Sequence, residues 1–190
     1  MRLFVAVELP PSVVTAADAA GRLLRKRISQ IAPRARLTWV AVDHLHVTIR
    51  FIGDVDEEKA TEIGGALGPA LESPPFTIAL GHVGAFPGRG APRALWLTLV
   101  TDSEALVGLE EAVSARLEQA GIPRESRPFN PHVTLARVRE PAGLRGPDLL
   151  AGLPAPPHAG GRIDAITLFA SRLSSQGPTY TALRRLSLRG

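Results

Sequence analysis

The stretch HVTIRFIG (residues 46–53) returns further along the chain as HVTLARVR (residues 132–139), and no other segments of the sequence repeat so closely. Along a β-strand, side chains i and i+2 leave from the same face. His46 and Thr48 therefore share one surface, while Val47 and Ile49 face a core. His132 and Thr134 repeat the arrangement over Val133 and Leu135. A single such histidine reads as a hydrogen-bonded structural residue. Two at matching positions of two similar segments read as two halves of one site.

The segments around these strands fall into two similar rounds. Residues 2–8 alternate as a strand, and residues 12–29 carry apolar residues at helical spacing (Val13, Ala16, Ala17, Ala20, Leu23, Leu24). Residues 37–42 and 45–52 read as two strands of a hairpin. Asp54 and Glu57 resemble a capping box that opens a helix to about Leu71. The second round brings strands at 76–86 and 94–100, then a helix over 103–120 capped by Asp102 and ended by Gly121 and Pro123. The strand from His132 follows, then a Pro/Gly-rich stretch with a short helical turn near Leu149. Strands over 162–171 and 179–188 close the chain. The pattern predicts an α+β protein of two pseudo-symmetric lobes, each an antiparallel sheet with flanking helices, and a cleft between them. Residues 1–190 are expected to form one such bilobal domain of two intertwined lobes, and a monomer is expected.

Composition narrows the function. The 190 residues are 45% hydrophobic and 21% charged, with no cysteine, so disulfides, thiolate metal sites and cysteine nucleophiles are excluded. No run of apolar residues is long enough for a transmembrane helix, and a cytoplasmic location is expected. The net charge of +4 rests almost wholly on arginine, which suits an anionic partner or simply a solvated surface. The densest basic stretch is GRLLRKRISQIAPRAR, residues 21–36, which could border a nucleic-acid groove or form the wet face of a helix. No Walker loop, G-x-G-x-x-G turn or G-x-S-x-G elbow occurs, so no nucleotide cofactor and no serine nucleophile are expected.

Two histidines with two threonines suit displacement at phosphorus. A neutral imidazole takes a proton from water while an imidazolium gives one to a leaving oxygen. Hydroxyls beside them hold the non-bridging oxygens. Metal binding competes poorly, because each motif offers one ligand and neither contains an acidic residue. His44 makes H-L-H a conceivable metal pair, but a third ligand is not evident, and His44 is expected to flank the cleft or cap the hairpin. His82 and His158 lack a threonine partner and are expected to be structural or exposed. Arg50 has the parity to share the face of His46 and Thr48. Arg137 has the opposite parity to His132 and needs a bulge or the strand's end to reach a substrate. Phe51 could stack on a base, although alternation favours a core position for it. Tyr180 fits a cleft or a core equally.

The paired motifs resemble the 2H phosphoesterase superfamily, and most closely its RNA 2′,3′-cyclic phosphodiesterase branch, also called 2′-5′ RNA ligase-like. Supporting stretches run nearly end to end: RLFVAVELP, HLHVTIRFIGDV, GAFPGRGAPRALWL, FNPHVTLARV and SRLSSQGPTYTAL. The resemblance implies hydrolysis of RNA 2′,3′-cyclic phosphate ends to 2′-phosphates without metal or cofactor. It implies His46 as proton donor, His132 as proton acceptor, Thr48 and Thr134 on the phosphate, and an arginine such as Arg137 near the substrate. The residues themselves leave open which histidine gives the proton. Alternatives are a reversible 2′-5′ ligase, a cyclic phosphodiesterase of small nucleotides, or a non-catalytic RNA-binding module.

Overall fold

A computed structural model describes residues 1–101, 103–174 and 177–190. In chain order the elements are β1 (Arg2–Glu8), α1 (Pro11–Ile31), β2 (Arg36–Trp39), a 3₁₀ turn (Val42–His44), β3 (His46–Asp54), α2 (Glu57–Leu67), β4 (Ala70–Glu72) and β5 (Phe76–Phe86). Then come β6 (Ala94–Thr101), α3 (Ser103–Gln119), β7 (His132–Glu140), α4 (Gly146–Leu150), β8 (Gly160–Ile163), β9 (Ala165–Ser174) and β10 (Gly177–Arg189). Among the described residues the strands run β4-β10-β9-β1-β3-β7-β6-β5-β8, with β2 also joined to β7. All pairings are antiparallel except that of β4 with β10. This is the α+β architecture that the alternation implied.

The centre of that order is thin. β3 and β7 share one ladder pair, Val47 with Val133, among the described residues. The chain therefore forms two half-sheets, β4-β10-β9-β1-β3 and β7-β6-β5-β8, that meet at the two HVT strands. Beyond the shared pair β3 leaves β7. The same edge of β7 then takes up β2, since its other edge is held by β6. A wedge opens between β3 and the β2–β7 pair.

Helices cross between the halves. α1 follows β1 but packs on β5, β8 and α4 of the other half. It buries Val13, Ala16, Ala17, Ala20, Leu24 and Ile28, whereas Leu23 is exposed. α3 follows β6 yet packs on β3, β4 and α2, burying Leu106, Leu109, Val113 and Leu117. Each half is thus covered by a helix that begins in the other.

Several expectations need correcting. Residues 37–42 and 45–52 do not form a hairpin, because β2 pairs with β7, and a 3₁₀ turn carries the chain back to β3. The cap of α2 is Asp56, whose carboxylate accepts from the Lys59 amide at 2.8 Å. Asp54 instead meets Arg2 at 2.9 Å. α2 stops at Leu67 because Gly68 turns at φ 65°, and residues 70–72 become β4. The expected cap at Asp102 lies outside the described residues. The strand expected over 162–171 is two strands, β8 on β5 and β9 on β1, separated at Asp164.

Candidate active site

Both motif strands carry a bulge at the same place. Between β1 and β3, Val5 pairs with Arg50 and Ala6 with Thr48, so Ile49 is extra. Between β6 and β7, Leu95 pairs with Ala136 and Trp96 with Thr134, so Leu135 is extra. A bulge residue shifts the alternation by one. Phe51 and Arg137 are thereby turned onto the histidine face, and both line the cleft. Alternation had favoured the core for Phe51; it is 51% exposed. The same shift sends Arg50 away from His46 and Thr48, correcting its expected parity. Arg50 is 5% exposed, donates to the Pro123 carbonyl and lies 3.9 Å from Glu125.

The wedge between β3 and the β2–β7 pair is a cleft of about 470 Å³. His46, Thr48 and Phe51 reach it from β3, and Thr134, Arg137 and Arg139 from β7. Continuing the antiparallel register one residue either side of Val47–Val133 sets His46 opposite Thr134 and Thr48 opposite His132. Each histidine thus faces the other motif's threonine. His132 itself lies outside the cleft's lining, with its ring edge-on to Trp96 at 5.1 Å. Trp96 can approach because Gly84 leaves room, since a Cβ there would stand 2.7 Å from the indole.

The two rings are oriented alike. His46 Nδ1 donates to the His44 carbonyl at 2.7 Å, and His132 Nδ1 donates to the Asn130 carbonyl at 2.7 Å. A carbonyl only accepts, so the proton stays on Nδ1 and Nε2 remains for chemistry. His46 Nε2 is 3.1 Å from Thr48 Oγ1, which donates to it when the ring is neutral. Burial lowers the His46 pKa below its ordinary value, helped by the nearby His44 and His132 and opposed by the hydrogen bond to the His44 carbonyl. Phe4 and Tyr180 supply that burial, with ring centroids 5.1 and 5.6 Å away. Tyr180 is itself raised by burial, against the pull of the Arg137 charge.

The cleft suits an anion. Its lining includes Arg2, Arg137 and Arg139 but no Asp or Glu. Arg2 is paired with Asp54, and Arg139 Nε donates to Thr38 Oγ1 at 3.0 Å. Arg137 has no carboxylate partner among the described residues, so its guanidinium is available to a ligand. His44 flanks the cleft, its ring 4.5 Å from Tyr180. No group of three His, Cys, Asp or Glu side chains able to hold a metal occurs among the described residues.

The sequence pattern of the 2′-5′ RNA ligase superfamily matches residues 20–173. This chain belongs to the 2′-5′ RNA ligase superfamily. A relative from Thermus thermophilus, named RNA 2′,3′-cyclic phosphodiesterase, is 35% identical over 198 residues, covering 100% of this chain and 91% of its own. One of the same name from Aeropyrum pernix is 34% identical over 86% of this chain and 93% of its own. The crystal structure of Escherichia coli LigT in apo form superposes with a TM-score of 0.74 at 27% identity, covering 100% of this chain and 98% of that one. The family resemblance read from the paired motifs is borne out.

In this superfamily member, some cleft residues were not evident from the motifs. Tyr180 stands in the cleft rather than the core, and Phe4, Thr38 and Trp39 join it. Thr38 and Trp39 arrive because β2 pairs with β7, a long-range choice that local patterning does not encode. Phe4 signals itself only as one apolar residue among five consecutive buried ones in β1. His82 and His158 are exposed, His82 with its backbone amide 2.8 Å from Thr98 Oγ1. No helix among the described residues is long and apolar enough to cross a membrane.

Proposed function

We propose that the chain hydrolyses RNA 2′,3′-cyclic phosphate ends to 2′-phosphates, using the two histidines as acid and base and needing no metal. The observation that carries this reading is the matched pair of imidazoles, each with Nδ1 tied to the carbonyl two residues before it. His46 therefore offers Nε2 to a carboxylate-free, arginine-bearing cleft, and His132 offers its own from the strand whose Thr134 and Arg137 line that cleft. The names of the relatives at 34–35% identity supply the substrate class.

In the proposed reaction His132 Nε2 takes a proton from water as the water oxygen attacks phosphorus. The bond from phosphorus to O3′ breaks, and His46 Nε2 delivers a proton to O3′, leaving the phosphate on O2′. Thr48 and Thr134 hydroxyls donate to the non-bridging oxygens, and Arg137 balances their charge. Phe51 stacks on the terminal base. Arg50, buried on the far side of β3, acts by holding the strand to the Pro123–Glu125 segment. Burial favours the neutral form of His46. The incoming phosphate anion favours its charged form and prepares it to donate. Replacing the attacking water by an RNA 5′-hydroxyl would run the same acid and base toward ligation, the direction after which the superfamily is named.

The test is to incubate the protein with an oligoribonucleotide ending in 2′,3′-cyclic phosphate in EDTA and to identify the product. A 2′-phosphate is expected. A 3′-phosphate would reverse the assignment of the broken bond, and loss of turnover in EDTA would overturn metal independence.

A further inference from the structure

The basic stretch at residues 21–36 has no part in the chemistry above. It folds as the second half of α1 and the turn into β2, and there it borders a second groove. That groove runs beside the main cleft and shares one wall with it: Trp39 lines both. Arg25 lies over the Trp39 ring, 4.2 Å from its centroid, and Arg36 also lines the groove.

The charges here differ in how far they are already used. Arg22 pairs with Asp18 at 2.8 Å, and Arg27 donates to the carbonyls of Asp148 and Ala151. Arg25, Lys26 and Arg34 are exposed and, among the described residues, have no carboxylate partner. Arg36 meets Glu140 at 3.5 Å with both side chains largely in solvent, a pair that contributes little. The exit toward β9 and β10 offers Leu173, Gly177 and Pro178, and the cation on that side, Arg2, is already paired with Asp54.

We infer that the RNA strand leading to the reacting end leaves the cleft across Trp39 and lies in this groove. A base stacks on the indole face that Arg25 does not cover, and Arg25 and Arg36 meet the phosphates on its 5′ side. Aromatic platforms flanked by cations bind single strands without reading sequence. This inference rests on the proposed function and extends it: the preferred substrate is an oligonucleotide end rather than a mononucleotide.

The experiment compares adenosine 2′,3′-cyclic phosphate with a five-residue oligoadenylate ending in 2′,3′-cyclic phosphate. The protein and its Arg25→Glu, Arg36→Glu and double variants are assayed on both over a range of salt. The ratio of kcat/KM for oligonucleotide over mononucleotide is expected to fall about tenfold in the double variant at low salt. Direct binding of the oligonucleotide should lose about 0.7 from its salt slope for each phosphate contact removed. An unchanged ratio, or equal losses on both substrates, overturns the groove and leaves the cyclic phosphodiesterase reading intact. An unmodified protein that turns over neither substrate overturns that reading and this one with it.

Discussion

β3 and β7 have nearly the same backbone and nearly opposite surroundings. Both begin with His-Val-Thr, both bulge at the residue after threonine, and both show the same burial order through their first seven residues. Past the bulge they diverge. β3 places Phe51 on the cleft face and Arg50 behind it, where β7 has Arg137 and Ala136. His46 is enclosed by Phe4, Tyr180 and His44, while His132 has one edge-on tryptophan. A repeated strand supplies two matched Nε2 atoms. The neighbours on β1, β6 and β10 make their surroundings unequal, which suits the proposed division of acid and base between them.

The comparison breaks first at the histidines. His46→Ala and His132→Ala should each cut kcat/KM about 10²–10⁴-fold, with circular dichroism and melting unchanged. A variant retaining near-normal turnover would remove its histidine from the chemistry. Next come the residues that differ at matching positions. Arg137→Ala should lower kcat/KM by roughly 10–100-fold, the worth of a charge-assisted hydrogen bond to phosphate. Phe51→Ala should act chiefly through KM and by less, so a larger loss for Phe51 than for Arg137 would invert the division drawn here.

Those expectations mark how far the sequence could be read. The His and Thr positions follow from alternation over three residues, which no neighbour can alter. Arg50, Phe51 and Arg137 lie beyond the bulges, and a bulge depends on the register with β1 or β6, which a local pattern does not carry. β2 fails for the same reason, since its edge is decided by where β3 leaves β7. The lobes and most strands were legible because apolar alternation is local, whereas the helix exchange is not.

Two smaller effects sharpen the contrast. Arg50→Ala leaves the Pro123 carbonyl and Glu125 without their buried donor. It should cost about 1–3 kcal/mol of stability with little change in kcat, read by denaturant unfolding and turnover together. A large fall in kcat at unchanged stability would return Arg50 to the reaction. The last concerns pH. In the proposed reaction His46 must carry a proton to donate, and burial depresses its pKa below the ordinary value, so kcat/KM should fall as pH rises through that depressed value. Tyr180→Ala opens the wall beside the ring and should move this limb to higher pH. No movement would place the limb on another group.

β1 begins the chain, yet it is complete only when β9, Ala165–Ser174, lies along its free edge. The helix that follows β1 rests on β5 and β8, which emerge much later. As the protein leaves the ribosome, neither half-sheet can finish until β8 and β9 have been made. Folding must then wait on pairings between distant segments, which are intrinsically slow to form. A nascent chain stopped before β9 should therefore expose the edge of β1, with its five consecutive buried residues, and depend on chaperones to keep that edge from pairing elsewhere.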